Sequence, residues 1–314
     1  MKILLHENSL NIRGTSTAVY DYALFLKKIY NYDCCITYNP KNEDNSNFII
    51  EKFKTSFEVI PHSNFTDVEN IISNNNIDLL YIIKSGGNDG KVSKNVKTCV
   101  HAVFPNDISQ SHGDVYAYVS SWLSQFCSNN TIPYVPHMIN LPNVEGNLRY
   151  RLNIPDDAIV FGRYGGYDTF DIQFVRDVIK KLLEVTTNTY FLFCNTPVFI
   201  NDPRVIFTNN ITKLEDKVAF INTCDALLHA RYQGETFGLT VIEFMYRQKP
   251  IYTYGLSHEK NHYELLNGQG YLYDDANQLF ESLISFKPHN VEYAKLDEFA
   301  PNKVMEKFNE TFIL

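Results

Sequence analysis

The chain has 314 residues, 44% apolar and 20% charged, with 28 Lys and Arg against 36 Asp and Glu for a formal charge of −8. That charge argues against a nucleic-acid backbone or an anionic membrane surface as the main partner, and no run approaches the ~20 apolar residues a membrane helix needs. The length suits two domains of roughly 150 residues each rather than one ordinary core.

The first residues, Met1 to Glu7, turn polar too soon for a signal peptide and read as a β-strand. Short apolar runs then alternate with helical patterns along the whole chain, as parallel β/α units do. In the first half, strands are expected at 2–6, 33–38, 57–60, 78–83, 97–101 and 115–119. A helix is expected from about Thr15 to Ile29, with Val19, Tyr22, Ala23, Leu26 and Ile29 at helical spacing and Thr15 to Thr17 available as caps. Residues 39–47 read as a polar surface loop. Pro133, Pro136, Pro142 and Pro155 punctuate mostly polar sequence at 129–157, the best linker and hinge candidate.

A second alternation follows the linker. Strands are expected at 158–162, 189–194, 205–208, 225–230, 251–254 and 270–273. Helices are expected at 170–183, 213–223, 237–247, 260–267, 276–286 and 302–312. Two Rossmann-like halves fit this pattern better than one closed (β/α) barrel, because the linker falls near the middle. The six cysteines (34, 35, 99, 127, 194 and 224) show no metal-like spacing; Cys99, Cys194 and Cys224 sit in or beside apolar runs and read as reduced, buried thiols in a cytoplasmic protein. Asparagines are frequent but scattered through periodic segments, so they reflect coding bias rather than a low-complexity tract.

In open α/β sheets, ligands bind at the carboxyl ends of strands beside helix N-termini, here the loops after 2–6, 97–101, 158–162 and 225–230. The last of these is the most informative. A buried strand ends at His229 or Ala230, a polar loop carries Glu235, and a helix opens near Phe237-Gly238-Leu239. Free amides and the helix dipole make such an opening a site for a pyrophosphate, and Gly238 permits close backbone approach. Glu243, one turn or more into that helix, can accept two hydrogen bonds from a vicinal diol such as ribose.

The segment Glu235-Thr236-Phe237-Gly238-Leu239, Glu243-Phe244-Met245 and Pro250 resembles the signature of the retaining glycosyltransferases of family 4, in which two glutamates flank seven residues. Glu264 and Gly268-Gln269-Gly270 extend the resemblance; the first half of the chain matches in outline only. The resemblance implies the GT-B fold, two Rossmann-like domains facing a central cleft. It places an acceptor-side domain at 1–138, a nucleotide-sugar-binding domain at 139–300, and a terminal helix at 301–314 that packs back on the first domain.

By the same resemblance, Glu243 bonds the ribose, Glu235 faces the donor sugar, and the stretch Thr236 to Thr240 meets the diphosphate. Arg163 matches the family's Gly-Arg at the end of the strand 158–162, but the lysine usual about five residues later is absent, with Tyr167, Asp168 and Thr169 in the vicinity. Gly14 and Thr15 stand where the family has a glycine-rich loop beside the donor phosphates, and His101 where a histidine contacts the donor sugar. Each has a plain structural reading too: a capped helix start for the first two, a satisfied core histidine for the third, and a salt-bridge residue for Arg163. His6, His137 and His258 are given no role.

The implied activity is retaining transfer of a hexosyl or pentosyl group from a UDP- or GDP-linked sugar to a glycan or other hydroxyl acceptor. The nucleotide-sugar is a co-substrate, and neither a cofactor nor a metal is expected. Acceptor residues match nothing recognisable. Peripheral contact with a membrane stays open, and so do two rival readings: a sugar-nucleotide epimerase or phosphorylase of the same fold, and a non-catalytic nucleotide-sugar or glycan-binding protein. The missing lysine prompts the last of these.

Overall fold

The computed structural model describes residues 1–208, 211–294 and 296–314. The chain forms two compact units, one of Met1–Asn140 with Asp297–Leu314 and one of Leu141–Leu296.

The first unit is built on six strands: β1 (Lys2–His6), β2 (Asp33–Tyr38), β3 (Glu58–Pro61), β4 (Leu79–Lys84), β5 (Lys97–Ala102) and β6 (Val115–Tyr118). All pairings are parallel, in the order β3-β2-β1-β4-β5-β6. A parallel sheet is covered on both faces, so its strands are continuous apolar runs rather than alternating ones; Ile3, Leu4 and Leu5 are all fully buried. The helices are α1 (Gly14–Tyr30), α2 (Asn47–Lys54), α3 (Phe65–Asn74) and α4 (Ser121–Ser128). The last three were not expected from the sequence. They are two to three turns long, and α3 opens on a capping box formed by Asn64 and Asp67. The threonines do not cap α1 either. Arg13 is the N-cap, because Asn11 Oδ1 accepts from the Arg13 amide at 2.8 Å and turns the chain into the helix one residue before Thr15.

The second unit runs β7 (Ile159–Arg163), α5 (Gln173–Val185), β8 (Thr189–Cys194), β9 (Val205–Thr208), α6 (Leu214–Thr223), β10 (Ala226–His229), β11 (Gly234–Glu235), α7 (Leu239–Tyr246), β12 (Ile251–Tyr254), β13 (Glu259–Lys260), α8 (Asn261–Leu266), β14 (Tyr271–Tyr273) and α9 (Ala276–Ile284). Its main sheet is again six parallel strands, ordered β14-β12-β10-β7-β8-β9, while β11 and β13 pair separately. Counted from β7, this is the 3-2-1-4-5-6 order of the first sheet, so in both units the winding reverses direction beside the first strand, between β1 and β4 and between β7 and β10. Between 129 and 158 the only regular element is a 3₁₀ turn at Tyr150–Leu152.

After the second unit the chain returns to the first as α10 (Pro301–Phe308) and a wider helical turn at Asn309–Ile313. Phe308 packs at 4.9 Å from Tyr22 and 5.1 Å from Tyr81, and Phe312 at 5.3 Å from His101. The Cys99 thiol donates to Phe312 O at 3.2 Å. All six cysteines are unpaired, five of them buried. Among the described residues, no helix is long and apolar enough to cross a membrane and no group of three or more His, Cys, Asp or Glu is placed to hold a metal ion.

Two features fix the edges of β7. At its start, the Arg149 guanidinium bonds the carbonyls of Pro155, Asp156 and Ala158 and, at 2.9 Å, Asp225 Oδ2, which also accepts from the Val160 amide at 2.8 Å. Near its end, Gly162 lies so close to α6 that a Cβ there would stand 2.1 Å from Cys224 Sγ. Gly162→Ala is therefore expected to lower stability by about 1–3 kcal/mol through overpacking. Cys224→Ala in the same chain should restore part of the loss, as urea unfolding of the single and double variants would show.

Candidate functional site

The loops that follow β7 and β10 flank the point where the second sheet reverses its winding, and there the order of strands leaves a crevice between neighbouring connections. Arg163 ends β7 and is 4% exposed. Its Nη1 donates to Asn195 O at 3.0 Å and Thr196 Oγ1 at 2.6 Å, and its Nη2 to Gly166 O and Thr169 Oγ1, both at 2.6 Å. Burial pulls the guanidinium down to about 10, still charged at neutral pH. As placed, its terminal nitrogens tie the loop after β7 to the loop after β8.

The loop after β10 is shaped by two glycines. Gly234 has φ 84°, and a Cβ there would stand 2.0 Å from Glu259 O, so only glycine allows the β11–β13 pairing that holds Glu235. Gly238 is the N-cap of α7 at φ 89°, and no side chain caps that helix. The first helical bond runs from Ile242 N to Gly238 O, so the amides of Leu239, Thr240 and Val241 stand at an uncapped N-terminus. Helix α7 thus begins one residue after the left-handed glycine, not at Phe237 as the apolar pattern suggested. Phe237 and Thr236 are buried, and Asn261 Nδ2 holds Phe237 O at 2.6 Å.

The Glu235 carboxylate has a partner on each oxygen: His229 Nε2 at 3.1 Å from Oε1 and Arg231 Nη1 at 2.9 Å from Oε2. Thr253 Oγ1 lies 2.8 Å from the other His229 nitrogen, so His229 donates to the carboxylate and accepts from the threonine. Burial alone raises the Glu235 carboxyl, but the His229 bond and the Arg231 charge outweigh it and bring it down to about 2 from 4.5. Beside this pair, His262 is fully buried with neither ring nitrogen bonded to protein, and burial with the nearby His229 pushes it down to about 3. It is neutral at physiological pH.

Glu243 is 4% exposed on α7. Lys217 Nζ, from α6, lies 2.8 Å from its Oε1, and the Tyr164 hydroxyl donates to its Oε2. Tyr164 directly follows Arg163, and its carbonyl accepts from Thr240 Oγ1 at 3.4 Å. The second unit therefore gathers Arg163, Glu235, the stretch Thr236 to Thr240, and Glu243 around one reversal point. Lys217, Tyr164, His229 and Arg231 join them without having been singled out in the sequence. His229 and Arg231 stood inside the informative segment but outside its glutamate pattern, and Lys217 looks like any polar helix position.

Gly14, Thr15 and His101 belong to the first unit. Gly14 and Thr15 open α1, and a Cβ on Gly14 would meet nothing within 4 Å. Thr15 hydrogen-bonds the buried Glu7 carboxyl, which burial pushes up to about 8. His101 is fully buried: Nε2 donates to Val135 O at 2.9 Å, and Nδ1 accepts from the Tyr81 hydroxyl at 2.6 Å. Burial lowers it to about 4. The resemblance sets this histidine against the donor sugar; in the structure both its nitrogens are bonded within the first unit, to Val135 O and the Tyr81 hydroxyl.

A carboxyl held below its unfolded value contributes stability that is complete above that value and is lost as pH falls toward the folded one. For Glu235 the window runs from about 4.5 down to about 2. The urea midpoint of Glu235→Gln should therefore trail the parent's above pH 5, and the gap should close steadily as pH drops through 4 to 3. A gap that does not change with pH would show that the carboxylate's charge contributes nothing to stability.

No protein-family model matches the chain, and no curated protein does. Solved structures do. A glycosyltransferase from Rickettsia africae superposes with a TM-score of 0.69 at 13% identity, over 99% of this chain and 97% of that one. Anabaena HepE in complex with UDP-glucose gives 0.68 at 13%, over 99% and 95%. Sucrose-phosphate synthase from Thermosynechococcus elongatus gives 0.63 at 13%, again over 99% and 95%. At such identities the likeness concerns the fold, which is the α/β GT-B fold with its two parallel six-stranded sheets.

Proposed function

We propose that the chain is a glycosyltransferase that moves a sugar from a nucleotide-diphosphate sugar to a hydroxyl acceptor with retention of configuration, in the cytoplasm. The observation that carries this reading is the arrangement at α7. An uncapped helix N-terminus opens beside a left-handed glycine, Glu235 lies just before it and Glu243 one turn inside, all at the reversal point of the second sheet. Supporting it, the HepE structures of the same fold hold UDP with glucose or UDP-glucose.

In this reading the Leu239 to Val241 amides receive the diphosphate, Glu243 accepts the ribose hydroxyls, and Glu235 lies beside the sugar. The bond from the anomeric carbon to the β-phosphate oxygen breaks, the acceptor oxygen bonds that carbon on the same face, and the acceptor's proton passes to the departing phosphate. Positive charge grows on the sugar and negative charge on the diphosphate. Oriented amides and the Arg163 charge favour the second, and the Glu235 carboxylate favours the first. Protein groups, rather than a metal ion, neutralise the leaving group in this scheme. One observation favours a second reading, a nucleotide-sugar-binding protein without catalysis: the Arg163 terminal nitrogens are already committed to loop oxygens.

Thermal unfolding in the presence of UDP-, GDP- and ADP-sugars tests the reading, since a donor at about 100 times its Kd should stabilise by about 2.7 kcal/mol. Glu243→Gln should weaken that donor by roughly 1.5–3 kcal/mol, the worth of a hydrogen bond to a charged group. Absence of any shift across the panel would refute a nucleotide-sugar site altogether. Glu235→Gln should cut kcat ten-fold or more, on the order of 1.4 kcal/mol, with donor affinity little changed, because the charge it favours exists mostly in the transition state. A stabilising donor that no acceptor ever discharges would favour the binding protein.

A further inference from the structure

The Glu243 carboxylate is held by donors from two separate elements before any ligand arrives. Lys217 Nζ occupies one lobe of Oε1 at 2.8 Å, and the Tyr164 hydroxyl occupies one lobe of Oε2. A carboxylate has two lone pairs on each oxygen, so one lobe per oxygen stays open, which is the pattern a vicinal diol needs for two donated bonds.

Both donors are themselves fixed. The Tyr164 ring packs 5.7 Å from Phe220 and 5.8 Å from Phe244, and its carbonyl takes the Thr240 hydroxyl. Lys217 Nζ lies 5.6 Å above that same ring, and its side chain is 16% exposed. Burial and the Glu243 charge push the Tyr164 hydroxyl well above 10, so it remains a donor. Lys217 is the cation that partners the buried Glu243 carboxylate; without it Oε1 loses its one protein donor and nothing from α6 fixes the carboxylate's orientation.

We propose that Lys217, with Tyr164, is a positioning residue that holds the Glu243 carboxylate oriented to accept both ribose hydroxyls, and thereby makes the site select ribonucleotides over nucleotides lacking the diol. The proposal rests on reading Glu243 as the ribose acceptor. It places the deciding cation on α6, fifty-odd residues beyond Arg163, rather than in the loop after β7.

Calorimetric titration of the full chain with UDP, GDP and ADP, each beside its 2′,3′-dideoxy counterpart, tests it. In the parent chain the best-bound nucleotide should exceed its dideoxy form by about ten-fold or more. Lys217→Met should reduce that ratio to less than about three-fold, mostly by weakening the ribonucleotide. Lys217→Arg should keep most of the selectivity, a rescue that a merely structural role for the helix position would not produce. Parent protein that binds both forms equally, or binds none, overturns the role of Glu243 itself. Parent protein that discriminates while Lys217→Met discriminates equally overturns the role of Lys217 alone. Should Lys217→Met fail to fold by circular dichroism, Lys217→Gln, which keeps a donor without the charge, carries the same comparison.

Discussion

A carboxylate drawn partly or wholly out of water needs partners, and the second unit is arranged around that requirement at three places. At the amino edge of its sheet, Asp225 takes the Arg149 guanidinium and the Val160 amide. At the other edge, Glu235 takes His229 and Arg231, and Glu243 takes Lys217 and Tyr164. The three sites follow one rule with different outcomes. Asp225 uses its partners to close the start of β7, and its loss would leave the buried Arg149 guanidinium without a counter-charge. The two glutamates use theirs to keep a charge near a helix opening, where an anionic ligand and its sugar would bring their own polar groups. Because β7 and β10 are neighbours in a fully covered parallel sheet, all of this polarity is pushed to the strand ends.

How much of this could be read in the sequence follows from the range of each interaction. Strands buried on both faces write themselves as unbroken apolar runs, and β1, β2, β5 and β8 lie within a residue of where those runs predict. Helix α7 and its two glutamates were legible because the strand, the glycine and the carboxylates fall within twenty residues of one another. Helices α2 and α4 were not, since no neighbouring pattern like the one at α7 marked them. The partners of the glutamates escaped for a different reason. Tyr164 and Lys217 reach Glu243 from 79 and 26 residues away, and such meetings are decided by strand order rather than by spacing.

Arg163 and His101 illustrate the opposite hazard. Both sit at strand ends, where ligands bind in this kind of sheet, yet a strand end also meets the loops that follow its neighbours. Arg163 is drawn to oxygens of the loops after β7 and β8, and His101 is capped by Tyr81 from the adjoining strand and by Val135. A residue's position along a strand thus narrows its environment without saying which way its polar atoms are spent. For Glu235 and Glu243 the same edge leaves acceptor capacity over; for His101 it leaves none.

The second unit is inserted within the first, since the chain enters it after Asn140 and comes back at Asp297. The rings that seal the first unit's interior, Phe308 against Tyr22 and Tyr81 and Phe312 against His101, are therefore made only after the whole second unit has been synthesised. During translation the unit begun first is the one finished last, because its sheet is complete by Tyr118 but its covering segment, Asp297–Leu314, follows the second unit. Until residues 297–314 are made, the flank of the first unit that holds Tyr22, Tyr81 and His101 lacks the Phe308 and Phe312 rings that cover it.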